Sequence, residues 1–406
     1  MLDIDFVRAA FPAFDEPSLR GQAFFENAGG SYACKPVIER LMRFYTQRKV
    51  QPYGPFAASR LGGEEMDAAR ARLAAWMGVL PEEVSFGPSS TQNTYVLAQA
   101  FRQSLSARDA IIVTNQDHEA NSGPWRRLAE DGIEIREWAI EPETGHLDPA
   151  GLERLLDHKV RLVCFPHCSN IVGEINPVAD IVKTIHAAGA VACVDGVSFA
   201  PHGLPDVGAL GADIYLFSSY KTYGPHQGIV VIRRELGEKL PNQAHFFNAD
   251  APCKRFTPAG PDHAQIAASA GMIDYFQSLH AHHGLSGDTP VGMGAEVARL
   301  MRASEKRLLY PLLAYLGQRN DLRLLGPAEA QKRAPTVAIR TRAPAGVVAA
   351  RLAERGIMAG GGDFYAVRLI RAMGEDPDRG VLRMSFVHYT QEQEVTRLIE
   401  ALDAVL

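Results

Sequence analysis

Short apolar runs rich in strand-forming residues alternate with helical patterns over residues 84–234, and this alternation limits the possible folds most. The runs that predict strands are VSFG (84–87), AIIVT (110–114), IEIREWAI (133–140), VRLVCFP (160–166), AVACVD (190–195), DIYLFSS (213–219) and GIVVIRR (228–234). Strands that are apolar on both faces are typical of parallel sheets covered by helices on both sides. The pattern therefore predicts an α/β fold with a mostly parallel sheet.

The pattern changes after Gly284. Residues 285–292 resemble a loop, and residues 295–316 predict one long amphipathic helix. Two further strands are predicted, TVAIRTR (336–342) and VLRMSFVHYT (381–390), together with three helices, VVAARLAERG (347–356), AVRLIRAMG (366–374) and EVTRLIEALDAVL (394–406). We expect a large domain over residues 21–285. A smaller α+β domain should comprise residues 286–406, with residues 1–20 docked on it.

Length and composition narrow the classes of function. A chain of 406 residues suits two domains. A net charge of −5 with scattered basic residues argues against a nucleic-acid partner, and no apolar stretch approaches the 18 residues of a membrane span. The acidic start lacks the apolar region of a signal peptide. Five cysteines, an odd number without metal-ligand spacing, indicate reduced thiols in a cytoplasmic protein.

Three features at predicted strand ends suggest chemistry, because ligands of open α/β sheets bind at the carboxyl ends of the strands. Residues 87–91 (GPSST) form a strand-to-helix turn that offers hydroxyl and backbone N–H donors to an anion. Asp195 ends one strand, and Lys221 follows another. Each alone has an ordinary structural explanation. The Ser and Thr hydroxyls of the turn could cap a helix, Asp195 could form a turn, and the Lys221 side chain could reach solvent. Together they match the needs of pyridoxal 5′-phosphate (PLP): an amine, an acid for the pyridine nitrogen and a phosphate cradle.

Longer stretches resemble one known family. They are FFENAGGSY (24–32), FGPSSTQN (86–93), the run from CSN (168–170) to FAPHG (199–203), DIYLFSSYKTYGPHQG (213–228) and VLRMSFVHYTQEQEV (381–395). They resemble the class V aminotransferases and cysteine desulfurases, over nearly the whole chain. The resemblance implies the PLP-dependent transferase fold of type I, with a mostly parallel seven-stranded sheet in the large domain and a smaller α+β C-terminal domain. It also implies a homodimer with shared active sites and an amino acid as the small-molecule substrate.

Site residues carry over position by position from this resemblance. Lys221 matches the lysine that holds PLP as an imine, Asp195 the partner of the pyridine nitrogen, and His118 the imidazole stacked on the ring. The resemblance further implies that Asn170 is the amide near the phenolic oxygen of the cofactor. It implies that the phosphate ligands are Ser90, Thr91 and Ser218. Arg383 and Asn27 match substrate-binding residues. A planar arginine fork suits a substrate carboxylate.

Three positions in the cofactor site depart from the family pattern. Ser198 stands where desulfurases have a glutamine that reaches the cofactor oxygen, and Tyr220 replaces the histidine before the lysine. Gly260, within RFTPAGPDH (255–263), replaces a threonine that reaches the phosphate of the neighbouring subunit. We therefore expect a cross-subunit phosphate contact from the Gly260 backbone or none.

The largest departure concerns sulfur. Desulfurases carry a nucleophilic cysteine shortly before the arginine strand, but MAGGGDFYAVRL (358–369) contains none and the last cysteine of the chain is Cys253. Persulfide chemistry needs a thiolate, so it is not expected here. Cys34 is interpreted as a buried structural thiol. Asp363 and Tyr365, in the loop formed by residues 358–369, are possible substrate contacts.

The sequence thus predicts a PLP-dependent enzyme for an α-amino acid, with transamination or β-elimination of the C–S lyase type as its reaction. The alternatives are an amino-acid epimerase or racemase of the same family, a non-catalytic PLP-binding protein, and a cofactor-free α/β binding module. No metal site is expected, and the cluster of His280, His282 and His283 is interpreted as a solvated helix terminus.

Overall fold

The computed structural model describes all 406 residues of the chain. Its strands are β1 (Ala23–Phe24), β2 (Val84–Gly87), β3 (Ala110–Thr114), β4 (Glu134–Trp138), β5 (Val160–Pro166), β6 (Val191–Asp195), β7 (Ile214–Ser218), β8 (Gly228–Ile232), β9 (Arg323–Leu325), β10 (Thr336–Arg340), β11 (Ile357–Met358), β12 (Gly360–Gly362) and β13 (Val381–Ser385). Its α-helices are α1 (Ile4–Ala9), α2 (Lys35–Gln47), α3 (Ala57–Trp76), α4 (Ser90–Ser104), α5 (Glu119–Arg126), α6 (Pro149–Leu155), α7 (Val178–Ala187), α8 (Val207–Leu210), α9 (Arg234–Lys239), α10 (His263–His282), α11 (Pro290–Gly317), α12 (Ala345–Ala353), α13 (Val367–Ala372) and α14 (Glu392–Val405).

The central sheet has seven strands in the order β2-β8-β7-β6-β5-β3-β4. Only β8 runs antiparallel to its neighbours, β2 and β7, and every other adjacent pair is parallel. The mostly parallel seven-stranded sheet is therefore confirmed, and the seven predicted runs form its strands.

Helices cover this sheet on both faces, as the uniformly apolar strands require. Along β7, Ile214 and Leu216 belong to the same buried cluster as Leu97 of α4. Tyr215 and Phe217, on the opposite face, belong to the other large cluster together with Ile273 of α10. Successive side chains of a strand thus enter two separate cores.

The remaining strands form a four-stranded antiparallel sheet, β12-β13-β10-β9, and a short parallel pair, β1 with β11. A third buried cluster joins this sheet to α11, α12 and α14 through aliphatic side chains, among them Leu308, Val348, Leu382 and Leu398. The predicted α+β region after residue 285 is present, but the glycines expected in a loop form β12 beside the arginine strand.

The helical pattern of PWRRLAED (124–131), after β3, predicts a helix that begins at Pro124, but the structure differs. The structure begins α5 at Glu119, with His118 as its N-cap, and Pro124 lies inside the helix. Proline favours first turns of helices, which explains the misplaced start. The side chain of His118 accepts a hydrogen bond from the Ala120 N–H, so His118 itself caps the helix.

The N-terminal segment contacts both parts of the chain. Phe6 stacks on His282 with ring centroids 3.7 Å apart, and Arg8 donates to Glu394 Oε2 over 2.9 Å. His282 also pairs with Asp3, and His283 Nε2 accepts from the Asp3 N–H. The histidine cluster at the end of α10 therefore anchors this segment. The division into two domains at residue 285 stays a prediction.

None of the helices is both long and apolar enough to cross a lipid bilayer.

Candidate active site

A cavity of about 840 Å³ opens at the carboxyl ends of β5, β6 and β7, beside the first turns of α4 and α5. It brings together most of the residues singled out from the sequence. The predicted residues that line it are Ser90, Thr91, His118, Asn170, Asp195, Ser198, Ser218, Tyr220 and Lys221. Side chains that are as much as 131 residues apart in the chain thus converge on one space.

The predicted phosphate turn lies against the end of β7. Ser90 Oγ and Ser218 Oγ are 2.9 Å apart, and Ser89 caps α4 by accepting from the Gln92 N–H. Gly228 permits this approach, because a Cβ at that position would lie 2.3 Å from the Ser89 carbonyl carbon. The result is a group of hydroxyls at the N-terminus of a 15-residue helix, where the dipole and free N–H groups favour an anion.

Asp195 ends β6 as predicted, and its side chain is buried. Burial raises the pKa of this carboxyl to about 6, although a hydrogen bond from the Val197 N–H and the charge of Lys221 favour its ionised form. An acid of this kind binds a proton more readily than an exposed aspartate. It therefore suits a position beside a basic ring nitrogen.

Lys221 lies in the single 3₁₀ turn (Ser219–Lys221) that follows β7. The Ser31 hydroxyl donates to its backbone carbonyl over 2.7 Å, which fixes the turn. Burial, and next the charge of Arg383, lower the pKa of the Lys221 amine to about 8, against the opposing effect of Asp195. A substantial fraction of this lysine is therefore a neutral amine near neutral pH, as a nucleophile or a base requires.

His118 and Asn170 also line the cavity. Burial, with the charges of Lys221 and Arg383, lowers the pKa of His118 to about 3, so its ring is neutral. Because Nδ1 accepts from the Ala120 N–H, the ring proton lies on Nε2. Asn170 Nδ2 donates to the Phe364 carbonyl over 3.0 Å, whereas its buried Oδ1 has no partner.

Tyr220 and Ser198 line the same cavity. Tyr220 stacks on His226 with centroids 4.6 Å apart, so two aromatic rings flank the phosphate turn where the family pattern has one histidine. Ser198 is largely buried, and no hydrogen bond of its hydroxyl to another residue occurs in the structure. Its hydroxyl remains available to a ligand.

Three predicted residues lie outside the cavity. Both polar atoms of the Asn27 amide are engaged within the protein, by the Ser385 carbonyl and the Tyr389 hydroxyl. Gly260 lies on a neighbouring surface groove, and a Cβ there would meet nothing within 4 Å. Arg383 is 3% exposed and pairs with Glu26.

The thiols are unsuited to nucleophilic chemistry. Cys168 lines the cavity, but burial raises its pKa to about 12 and its Sγ donates to the Gly173 carbonyl over 3.4 Å. Cys34 is wholly buried with its pKa also raised to about 12, in agreement with the structural interpretation. Tyr365 lines the cavity and is 72% exposed, whereas Asp363 caps the following turn by accepting from the Tyr365 N–H.

Sequence reasoning missed the charged rim of the cavity. It is formed by Glu119, Arg126, Arg127, Glu130 and Arg368. Arg368 pairs with Glu119 over 3.2 Å, so it links α13 to α5 across the entrance. Residues 119–130 are rich in charged side chains, but this pattern is equally typical of an ordinary solvated helix face.

Known proteins resemble this chain in sequence over most of its length. The model of the family "Aminotransferase class-V" matches residues 23–280 and 294–398. The aminotransferase-like protein FGM3 of Gibberella zeae is 32% identical over 414 residues, with 99% of this chain and 98% of that protein covered. A cysteine desulfurase of Yersinia pestis is 31% identical over 424 residues, with the same coverage.

Solved structures agree in fold. The apo structure of cysteine desulfurase from Thermococcus onnurineus NA1 superimposes with a TM-score of 0.85 at 23% identity, covering 100% of this chain and 98% of that one. At this identity the likeness shows the fold, which is that of PLP-dependent fold type I. Together with the family match over most of its length, it shows that this chain belongs to the class V aminotransferase family.

Proposed function

We propose that the protein is a PLP-dependent enzyme that acts on an α-amino acid by transamination or β-elimination. The observation that carries the proposal is the convergence of Lys221, Asp195, His118 and the Ser90 turn on one cavity. This donor set fits PLP, whose use is common to the family: hydroxyls and N–H groups for the phosphate, a carboxyl for the pyridine nitrogen and an amine for the aldehyde. The orphaned Oδ1 of Asn170 can accept a hydrogen bond from a group bound in the cavity.

PLP, when bound, supplies a ring that accepts the electrons of the substrate's Cα–H bond. Lys221, with its lowered pKa, takes the α-proton and returns a proton at the carbon that the reaction requires. Asp195 holds a proton at the pyridine nitrogen. The neutral His118 ring on the cavity wall would help to hold and orient the cofactor without adding charge.

The positions of the cysteines argue for a reaction that does not pass through a protein persulfide. Residues 358–369 contain no cysteine, and the one cysteine of the cavity wall, Cys168, is protonated and buried. We expect a Cys168→Ser variant to retain its turnover within about threefold, because a buried protonated thiol is a poor nucleophile. Product analysis across amino acids, with keto acid, ammonia and sulfide quantified, separates transamination from β-elimination. A reaction with cysteine that leaves a persulfide on the protein contradicts the proposed reaction without a protein persulfide.

Ser90 provides a direct test of the phosphate turn. Replacing Ser90 with alanine should weaken PLP binding by about tenfold to a hundredfold, because it removes one hydrogen bond to a charged group. The measurement is a titration of cofactor-free protein with PLP, followed by visible absorbance. Ser104→Ala, at the other end of α4, is the matched control. Equal PLP affinities of the two variants would place the phosphate elsewhere.

A homodimer with shared sites is part of the proposal. The Gly260 backbone faces open space beside the Ser89 turn, and the exposed aromatic side chains of Tyr53 and Phe247 line a groove together with it. Such a surface suits a second copy of the chain, from which Gly260 would offer its N–H to the phosphate. A cytoplasmic location stays a prediction.

A further inference from the structure

Arg383 lies behind the wall of the cavity, in contact with an acidic residue from the other end of the chain. Its Nη2 donates to Glu26 Oε1 over 2.5 Å, and its Nη1 donates to the Asn170 carbonyl over 3.3 Å. Glu26 follows β1, and a bridge to Ser385 holds it beside β13. The two charges therefore face each other because the segment after β1 lies beside β13.

This ion pair is incomplete on both sides. Glu26 Oε2 and Arg383 Nε are buried without any hydrogen-bond partner, and so is Asn170 Oδ1 next to them. An arginine fork commonly binds a carboxylate through two parallel hydrogen bonds, but here one carboxylate oxygen is engaged. Buried orphan atoms are costly and uncommon, and two of them in one ion pair indicate a place that a further group completes.

Phe364 covers one face of the Arg383 guanidinium. Its ring lies 3.7 Å from the Arg383 guanidinium carbon, stacked over the fork. Gly360 makes room for the arrangement, since a Cβ there would lie 2.7 Å from Glu26 Oε2 and 2.8 Å from the Phe364 ring. Neither Arg383 nor Glu26 lines the large cavity.

The covering segment is held in a strained backbone conformation. Phe364 and Tyr365 are consecutive non-glycine residues with positive φ angles of 51° and 58°. Their carbonyls accept hydrogen bonds from Asn170 Nδ2 over 3.0 Å and from the Glu119 N–H over 2.8 Å. Strain of this kind persists where surrounding contacts enforce it, and its release favours opening.

We propose that Glu26 is a specificity-determining residue, an internal carboxylate that competes with the substrate carboxylate for Arg383 behind the removable cover of Phe364. This inference rests on the proposed function. The consequence is that the carboxylate alone gives a ligand little net affinity, because it replaces an ion pair that already exists. Binding energy has to come from the rest of the substrate, so the site selects amino acids whose side chains fill the cavity and selects against small ones.

Calorimetric titration with propanoate tests this directly, because propanoate has a carboxylate and no amine and its binding does not depend on reaction with PLP. We expect Glu26→Gln to bind propanoate at least tenfold more tightly than the wild type, and Glu26→Gln/Arg383→Gln to lose the gain. Glu394→Gln is the matched control, since it breaks the partly buried Arg8–Glu394 pair far from the cavity and should bind as the wild type does. An unchanged or weaker affinity of Glu26→Gln overturns the proposal.

A second variant keeps the test valid where Glu26→Gln folds poorly. Phe364→Ala retains the ion pair and removes the cover, so phenylglyoxal should modify Arg383 at least tenfold faster than in the wild type, as measured by peptide mass spectrometry. An equal rate overturns the role of Phe364 as a cover. Both measurements are made on cofactor-free and on PLP-loaded protein. If PLP fails to bind Lys221, the proposed function is contradicted. The titration of the cofactor-free protein still measures the competition for Arg383.

Discussion

Replacement of Lys221 with alanine is expected to lower kcat by at least about 10³-fold, because it removes both the amine that binds the cofactor and the base that takes the α-proton. The lowered pKa of about 8 makes this lysine suited to both tasks. The same substitution should abolish the yellow absorbance of a lysine-bound cofactor, while PLP still occupies the phosphate turn through Ser90 and Ser218.

Two controls separate this chemistry from loss of structure. Lys221→Arg preserves the buried positive charge, yet should be as inactive as the alanine variant, since a guanidinium neither condenses with an aldehyde nor loses its proton. Lys239→Ala, at the end of α9, removes a lysine from the chain outside the cavity and should retain full activity. Turnover by Lys221→Ala within tenfold of the wild type contradicts the assigned role.

Replacement of Asp195 with asparagine should change stability and activity in opposite directions. Burial raises the pKa of Asp195 to about 6 in the folded protein, from an ordinary value near 3.8 when unfolded. The folded state therefore holds this proton more tightly, so the stability contributed by Asp195 falls as pH rises between these two values. The penalty amounts to about 3 kcal/mol at pH 8 and to about half of that at pH 5. Asparagine keeps an oxygen for the Val197 N–H and avoids the charge.

We thus expect cofactor-free Asp195→Asn to unfold at a higher urea concentration than the wild type at pH 8, with a smaller difference at pH 5. The loaded variant should lose about 10²–10³-fold in kcat, because the neutral amide no longer holds a proton at the ring nitrogen. Asp213→Asn, on a carboxylate outside the cavity, controls for the substitution itself. A variant that is both less stable and fully active would remove Asp195 from the site.

Much of this architecture could be predicted from the sequence, because local patterns and strand ends determine it. The apolar runs gave the central sheet its strands within a residue or two. The rule that ligands bind at carboxyl ends of strands placed Asp195, Lys221 and the Ser90 turn in one cavity. The resemblance added His118 and Asn170, which no local pattern distinguishes from structural residues.

What could not be predicted depends on contacts between distant segments. Glu26 and Arg383 are 357 residues apart, and no periodicity links them. The cover over Arg383 requires positive φ angles at a phenylalanine and a tyrosine, which backbone sterics disfavour and only tertiary hydrogen bonds impose. For the same reason the glycines at 360–362 were interpreted as a loop, although pairing with β13 makes them a strand.

The proposed function requires that the cavity hold PLP covalently at Lys221. The most direct test is to incubate the protein with PLP, reduce it with borohydride and map the modified peptides by mass spectrometry. We predict a single phosphopyridoxyl group on Lys221, in one equivalent per chain, that is absent from Lys221→Arg. Protein that remains unmodified, or that carries the group mainly on a surface lysine such as Lys239, contradicts the account.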